Sequence, residues 1–230
     1  GWRGKAPLLW PATGISLHPE AGVHHYALDG TRYPMPFHGF ASHQTWRVLQ
    51  RPSPDRPVTL ILALSENPET RKYYPFDFEL RVEYRLDDAK LGMIYTLEAD
   101  GGNAGPMPFS IGNHITFKAP LIEGGDATAV RFHTDLPAML LRNPDKTFSG
   151  DVVPSPFQGW HSLAALPVQQ AVSLGGSPGS TELQILDPSG LQLRLAHHAS
   201  SEPSSPAIRF NLWANAEAGF FSPEPWLGLQ

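Results

Sequence analysis

Apolar and polar residues alternate along much of this chain, and the period is two rather than 3.6. Phe76, Phe78, Leu80, Val82, Tyr84 and Leu86 are interleaved with Asp77, Glu79, Arg81, Glu83 and Arg85. Six apolar positions in register describe a strand with one face in a core. Asp87-Asp88-Ala89-Lys90 then reads as a turn. Leu91, Met93, Tyr95 and Leu97 resume the period, so residues 76 to 98 predict a long hairpin. A second hairpin runs from Leu183 and Ile185 through Asp187-Pro188-Ser189-Gly190 to Leu191, Leu193 and Leu195. Its turn has a Pro to fix φ and a Gly that accepts positive φ. Asp29-Gly30 marks a further turn. Other strand candidates are 23 to 28, 45 to 50, 57 to 64, 108 to 118, 129 to 134 and 207 to 214.

Helical patterning is thin, with no sustained 3.6-residue apolar period. The 24 prolines and 21 glycines punctuate the chain as turns between strands would require. Asn143 to Gln169 is the least patterned stretch and reads as a long excursion beside a binding site. Ser200 to Pro206 reads as a polar connection. With no internal repeat and no break in composition, the 230 residues predict one domain: an all-β, large antiparallel β-sandwich of about a dozen strands or more. The chain opens at Gly1 without Met and stops at Leu229-Gln230, so the domain at 1–230 is expected to lack N-terminal and C-terminal segments of a longer protein.

Composition narrows the chemistry. A hydrophobic share of 41% fits a globular core, and a net charge of −5 is wrong for a general nucleic-acid binder, which needs a basic stripe. No apolar run is long enough to span a bilayer. Zero cysteines exclude disulfides, thiolate catalysis and cysteine zinc sites. There is no phosphate-binding glycine loop and no nucleophile elbow. His24-His25 and His197-His198 are adjacent pairs, whose side chains point to opposite faces of a strand, so neither makes a two-ligand metal clip.

Three short segments hold the candidate chemistry. Glu224 stands in Pro223-Glu224-Pro225-Trp226. Flanking prolines should bar it from a helix or a central strand and hold it on stiff, extended backbone beside Trp226. A dry setting would raise its pKa toward that of a useful base. His114 lies in Ile111-Gly112-Asn113-His114-Ile115-Thr116-Phe117. If Ile111, Ile115 and Phe117 face the core, Asn113 joins them and His114 points to the open side of the sheet. His38 follows Met35-Pro36-Phe37 and precedes Gly39, in a turn that can expose the imidazole and let a ligand approach the backbone. The bland alternatives are an exposed loop carboxylate and two structural histidines. Of the six tryptophans, one or two could stack on a sugar ring.

In the order and spacing of these segments the chain resembles the aldose 1-epimerase (galactose mutarotase-like) family. The segments are Ala6-Pro7-Leu8-Leu9-Trp10-Pro11, Leu28-Asp29-Gly30, His38-Gly39-Phe40-Ala41, Tyr74-Pro75-Phe76-Asp77-Phe78, Pro108-Phe109-Ser110-Ile111-Gly112-Asn113-His114 and Glu224-Pro225-Trp226-Leu227-Gly228. Residues 120 to 205 match only loosely. The resemblance implies a β-supersandwich with an open sugar cleft, interconversion of the α and β anomers of an aldose, no cofactor and no metal. It implies Glu224 as general base, His114 as general acid, and His38, Trp226 and Asn113 as substrate-binding residues, with base and acid far enough apart to hold a sugar between them. The expected partner is a small aldose, a hexose sooner than a hexose phosphate, with no nucleic acid and no membrane, in the cytoplasm. The sequence departs from the family pattern where basic residues usually follow His-Gly-Phe-Ala and the Gly of Pro11-Ala12-Thr13-Gly14-Ile15. The candidate triplet is therefore expected to lack basic partners, with Arg3, Arg32 and Arg47 as the available replacements, and a late aspartate is not identifiable around 160 to 175. These departures motivate the rival reading, a carbohydrate-binding protein on the same fold with weak or no catalysis. A cupin-like metal enzyme using the histidines is a third.

Overall fold

The computed structural model describes residues 6–54, 57–168, 170–177, 179–199 and 208–228. The described strands in chain order are β1 (Leu8–Leu9), β2 (Leu17–His18), β3 (Gly22–Val23), β4 (His25–Leu28), β5 (Thr31–Pro34), β6 (Arg47–Gln50), β7 (Val58–Ser65), β8 (Phe78–Asp87), β9 (Lys90–Ala99) and β10 (Ile111–Asn113). They continue with β11 (Phe117–Lys118), β12 (Arg131–Thr134), β13 (Ala138–Arg142), β14 (Phe148–Pro154), β15 (Gly159–Ser162), β16 (Val172–Gly175), β17 (Ser180–Leu186), β18 (Gln192–His198), β19 (Ile208–Asn215) and β20 (Phe220–Leu227). The described helices are short 3₁₀ turns. Pairing between the strands is antiparallel throughout. The all-β expectation holds.

Both predicted hairpins form, as β8–β9 and β17–β18. The first joins β6 and β7 in a four-stranded sheet ordered β6-β7-β8-β9, and the second joins β12 and β15. The largest sheet runs β1-β10-β20-β19-β16-β13-β14, with β11 also pairing β20. Two cores follow. Phe132, Leu183, Ile185, Leu174, Phe210, Leu212 and Phe221 pack the large sheet against the β12–β17 sheet. Trp10, Phe40, Tyr74, Phe78, Leu80, Val82 and Ile111 join the β1–β10 end to the β8 hairpin. Trp10 sits edge-on to Phe40, Tyr74 and Phe78 at 5.4, 5.3 and 4.5 Å. Such pairs add about 0.5–1.5 kcal/mol each beyond burial.

Three expectations are corrected. The excursion from Asn143 to Gln169 contains β14 and β15, whose mixed exposure conceals the strand period. The candidate strand over 108–118 is broken into β10 and β11. The third correction concerns the Pro-Glu-Pro segment, which does lie in a central strand. β20 pairs β19 along its whole length. On its other edge β11 takes Phe220 and Phe221, β10 takes Trp226 and Leu227, and the four residues between face a gap in the sheet. Amides two residues apart face the same strand edge. Pro223 and Pro225 therefore place both missing N–H groups at the gap, where no ladder bond is required. Ser200 to Pro206, Trp2 and Arg3 lie outside the described residues.

Candidate functional site

The site is built on one face of the large sheet. Cross-strand register places Trp213 opposite Ser222, Asn211 opposite Glu224, and Arg209 opposite Trp226. Ser173 lies opposite Asn211 on the next strand, β16. The intervening residues Phe210, Leu212 and Phe221 point the other way, into the core. This polar face is nevertheless dry: Glu224 and Arg209 are each 2% exposed, and Asn211 is 4% exposed.

The fold brings Glu224, His114, His38 and Trp226 together. Trp226 Nε1 donates to Glu224 Oε2 at 3.1 Å. His114 Nε2 lies 3.4 Å from Glu224 Oε1. The His38 ring meets the His114 ring edge-on at 5.4 Å, and Trp226 at 6.4 Å. The local sequence explains each placement. Gly112 lies beneath Trp226, and a Cβ there would stand 2.6 Å from Trp226 Cδ1. Past Gly112 the strand ends at Asn113, and the chain turns so that His114 packs against Trp213. Thr116 Oγ1 bonds Ser222 Oγ across the gap at 2.5 Å. His38 adopts φ 67°, and Gly39 follows at φ 72°. The Trp10 carbonyl accepts from the Phe40 and Ala41 amides, and a Cβ on Gly39 would stand 2.1 Å from that oxygen. The space expected for a ligand at Gly39 is instead filled by the chain's own backbone at Trp10 and Pro11. His38 Nδ1 donates to the Thr13 carbonyl at 2.6 Å, which leaves Nε2 as the acceptor of a neutral ring.

His114 does not face an open side of the sheet. It is 8% exposed, because the surface opposite the hydrophobic core is itself covered. The expected gap between acid and base is also corrected: the two groups are in contact. Asn113 bonds elsewhere, donating to the Ala6 carbonyl and to Tyr95 Oη, both at 3.3 Å. Trp226 is buried, with its N–H directed at the carboxyl.

The expected lack of basic partners fails as well. Arg142, at the end of β13, lies over the Phe148 ring at 4.2 Å and the Trp226 ring at 5.8 Å. It donates to Ser173 Oγ at 2.8 Å, Asn211 Oδ1 at 2.9 Å and the Lys146 carbonyl at 2.7 Å. Arg209 adds a second buried guanidinium, 5.7 Å from Phe148. Alternation within 207–214 carried a signal for Arg209 and Asn211. Arg142 carried none, since it follows an apolar run and reaches the site only through sheet order. Arg47 is elsewhere, paired with Glu79 at 2.8 Å.

Burial governs the electrostatics. Desolvation pushes Glu224 up to about 8, opposed by hydrogen bonds from Trp226 and Asn211 and by the charge of Arg142. Desolvation lowers His114 and takes His38 down to about 4. Both shifts favour the neutral forms, a protonated Glu224 beside an uncharged His114. Macroscopic pKa values in such a pair belong to both groups. A contact pair with one mobile proton can accept a proton at one atom while releasing another beside it.

The family model described as aldose 1-epimerase matches residues 21–144, and the chain belongs to that family. A segment of 84 residues is 31% identical to a Salmonella typhimurium protein that carries the provisional name glucose-6-phosphate 1-epimerase. The match spans 36% of this chain and 24% of that relative. The fold is similar to that of a galactose mutarotase related enzyme from Lactobacillus acidophilus, with TM-score 0.79, 20% identity, and coverage of 97% of this chain and 71% of the other. A galactose mutarotase-like protein from Lactobacillus casei gives TM-score 0.75 and 25% identity, covering 97% of this chain and 73% of its own. A galactose 1-epimerase from Lactobacillus acidophilus gives TM-score 0.65 and 12% identity, covering 96% of this chain and 71% of its own. Among the described residues no helix is long and apolar enough to cross a membrane.

Proposed function

We propose that this chain interconverts the anomers of an aldose by general acid–base ring opening, with Glu224 and His114 as the reacting pair. The observation that carries this reading is their 3.4 Å contact in a dry site beside His38 and Trp226. In the cyclic sugar the anomeric hydroxyl oxygen and the ring oxygen share one carbon, so the atoms that must lose and gain a proton are close neighbours. A contact pair laid against that edge suits them better than two groups on opposite sides of a ring. The resting proton passes from Glu224 to His114. Glu224 then takes the hydroxyl proton while His114 protonates the ring oxygen. The C1–O bond to the ring oxygen breaks and the aldehyde forms. Rotation about C1–C2 and the reverse transfers close the other anomer, and the pair again holds one proton. His38 Nε2 accepts a hydrogen bond from a sugar hydroxyl, while Asn113 holds β10 to Tyr95. No redox change or external reactant is needed. Each such transfer contributes on the order of 10² to 10⁴ in rate.

The test is polarimetric relaxation of freshly dissolved α-D-glucose and α-D-galactose, run with the wild type and with Glu224→Gln. Acceleration that falls at least about 10²-fold in Glu224→Gln is expected. No acceleration by the wild type over buffer for any aldose tested would remove the enzyme reading in favour of a sugar-binding protein. Activity surviving in Glu224→Gln would remove the assigned base.

A further inference from the structure

We propose that Arg142 is a positioning residue for Glu224: it locks the Asn211 side chain so that its amide N–H, not its carbonyl oxygen, meets the carboxyl group. The role deepens the reading of Glu224 given above and rests on it. Asn211 is the cross-strand partner of Glu224 on the same face of the sheet, and its side chain favours the ionised carboxyl. An amide of this kind can present either end, and the two ends act oppositely on a carboxylate. Arg142 breaks that symmetry. A guanidinium has only donors, so the Asn211 atom at 2.9 Å from it must be the oxygen. Ser173 Oγ donates to the same oxygen at 2.8 Å and itself accepts from Arg142 at 2.8 Å. The triangle of Arg142, Ser173 and Asn211 leaves the amide nitrogen as the end available to Glu224. Phe148, opposite Arg142 in the β13–β14 register, supports the guanidinium plane.

The charged and titratable groups around Glu224 are His114 after β10, Arg142 on β13, Arg209 on β19, and His38 behind His114. Arg142 acts on the carboxyl both by its charge and through Asn211. The two routes are separable, since lysine keeps the charge but not the planar fork.

The experiment is a titration of the Glu224 carboxyl by ¹³C NMR on glutamate-labelled protein without sugar. Glu224→Gln identifies the signal. Arg142→Met is expected to raise the midpoint by about one pH unit or more. Asn211→Leu should also raise it, and Arg142→Met made on that background should add less than it does alone. Arg142→Lys should recover only part of the wild-type midpoint. Full additivity of Arg142→Met and Asn211→Leu would overturn the relay. So would a wild-type midpoint in Arg142→Lys, which stands as the decisive variant if Arg142→Met does not fold. Polarimetry keeps the two ideas apart. An inactive wild type with the expected midpoints removes the proposed reaction and leaves the relay, while an active wild type with unmoved midpoints does the reverse.

Discussion

The sheet ordered β6-β7-β8-β9 and the sheet that carries the site use the same alphabet to different ends. On β8, Leu80 and Val82 are buried while Glu79, Arg81 and Glu83 reach solvent and pair with neighbouring charges. On β19, Phe210 and Leu212 are buried, and so are Arg209 and Asn211, which alternate with them. Period-two alternation tells which residues share a face, not whether the polar face is wet. A wet face makes exposed ion pairs worth about a kilocalorie or less. A dry one must satisfy its polar groups internally, and it shifts their proton affinities. That contrast separates a scaffold from a site.

Two glycine substitutions probe the difference most strongly. Gly112→Ala would set a Cβ 2.6 Å from Trp226 Cδ1 and 2.8 Å from the Pro225 carbonyl. We expect a loss of stability of about 1–3 kcal/mol, read by urea unfolding, and a fall in mutarotation of about 10-fold or more as Trp226 leaves Glu224. Gly92→Ala in β9 meets nothing closer than 3.8 Å, and is expected to be neutral or to stabilise by up to about 1 kcal/mol. Equal effects from the two would erase the comparison.

The next effect is on pH dependence. Glu224 binds its proton more tightly when folded, so its contribution makes stability fall as pH rises from the ordinary value of 4.5 to about 8. His38 and His197, both pushed down to about 4 by desolvation, act oppositely, but only below their ordinary 6.5. Between pH 6.5 and 8 the wild type should therefore lose stability relative to Glu224→Gln by on the order of 1.4 kcal/mol per pH unit. Melting temperatures of the two proteins across that window check the sign, and parallel curves would mean a solvated carboxyl. The smallest effect belongs to the wet sheet. Glu79→Gln loosens its contacts with Arg47 and Arg81, and should change unfolding stability by less than about 1 kcal/mol, less still in high salt.

The two hairpins were legible because their alternation is long and their turns are chemically explicit. β13 and β16 were not, since they are short, nor was β14, whose seven residues are mostly exposed and show no alternation; all three take their meaning from neighbours distant in sequence. Glu224, His114 and His38 could be picked out by residue type and by family resemblance. Their mutual contact, the burial of His114 and the arrival of Arg142 depend on sheet order, which no local pattern encodes. The prolines around Glu224 misled for a related reason: their exclusion from central strands assumes an unbroken ladder on both edges, and β20 has a gap on one.

That gap also acts as a registration key. If β20 slipped by one residue against β19, Pro223 and Pro225 would fall where β19 expects amide donors, and two ladder bonds would be lost. The same slip would turn Glu224 and Trp226 toward the hydrophobic core and bring proline rings onto the polar face. The misaligned strand is thus penalised twice, in hydrogen bonds and in burying a carboxyl among Phe210, Leu212 and Leu174. Pro-Glu-Pro stiffens the backbone and also makes the side of the sheet that receives the carboxyl an all-or-none outcome of folding.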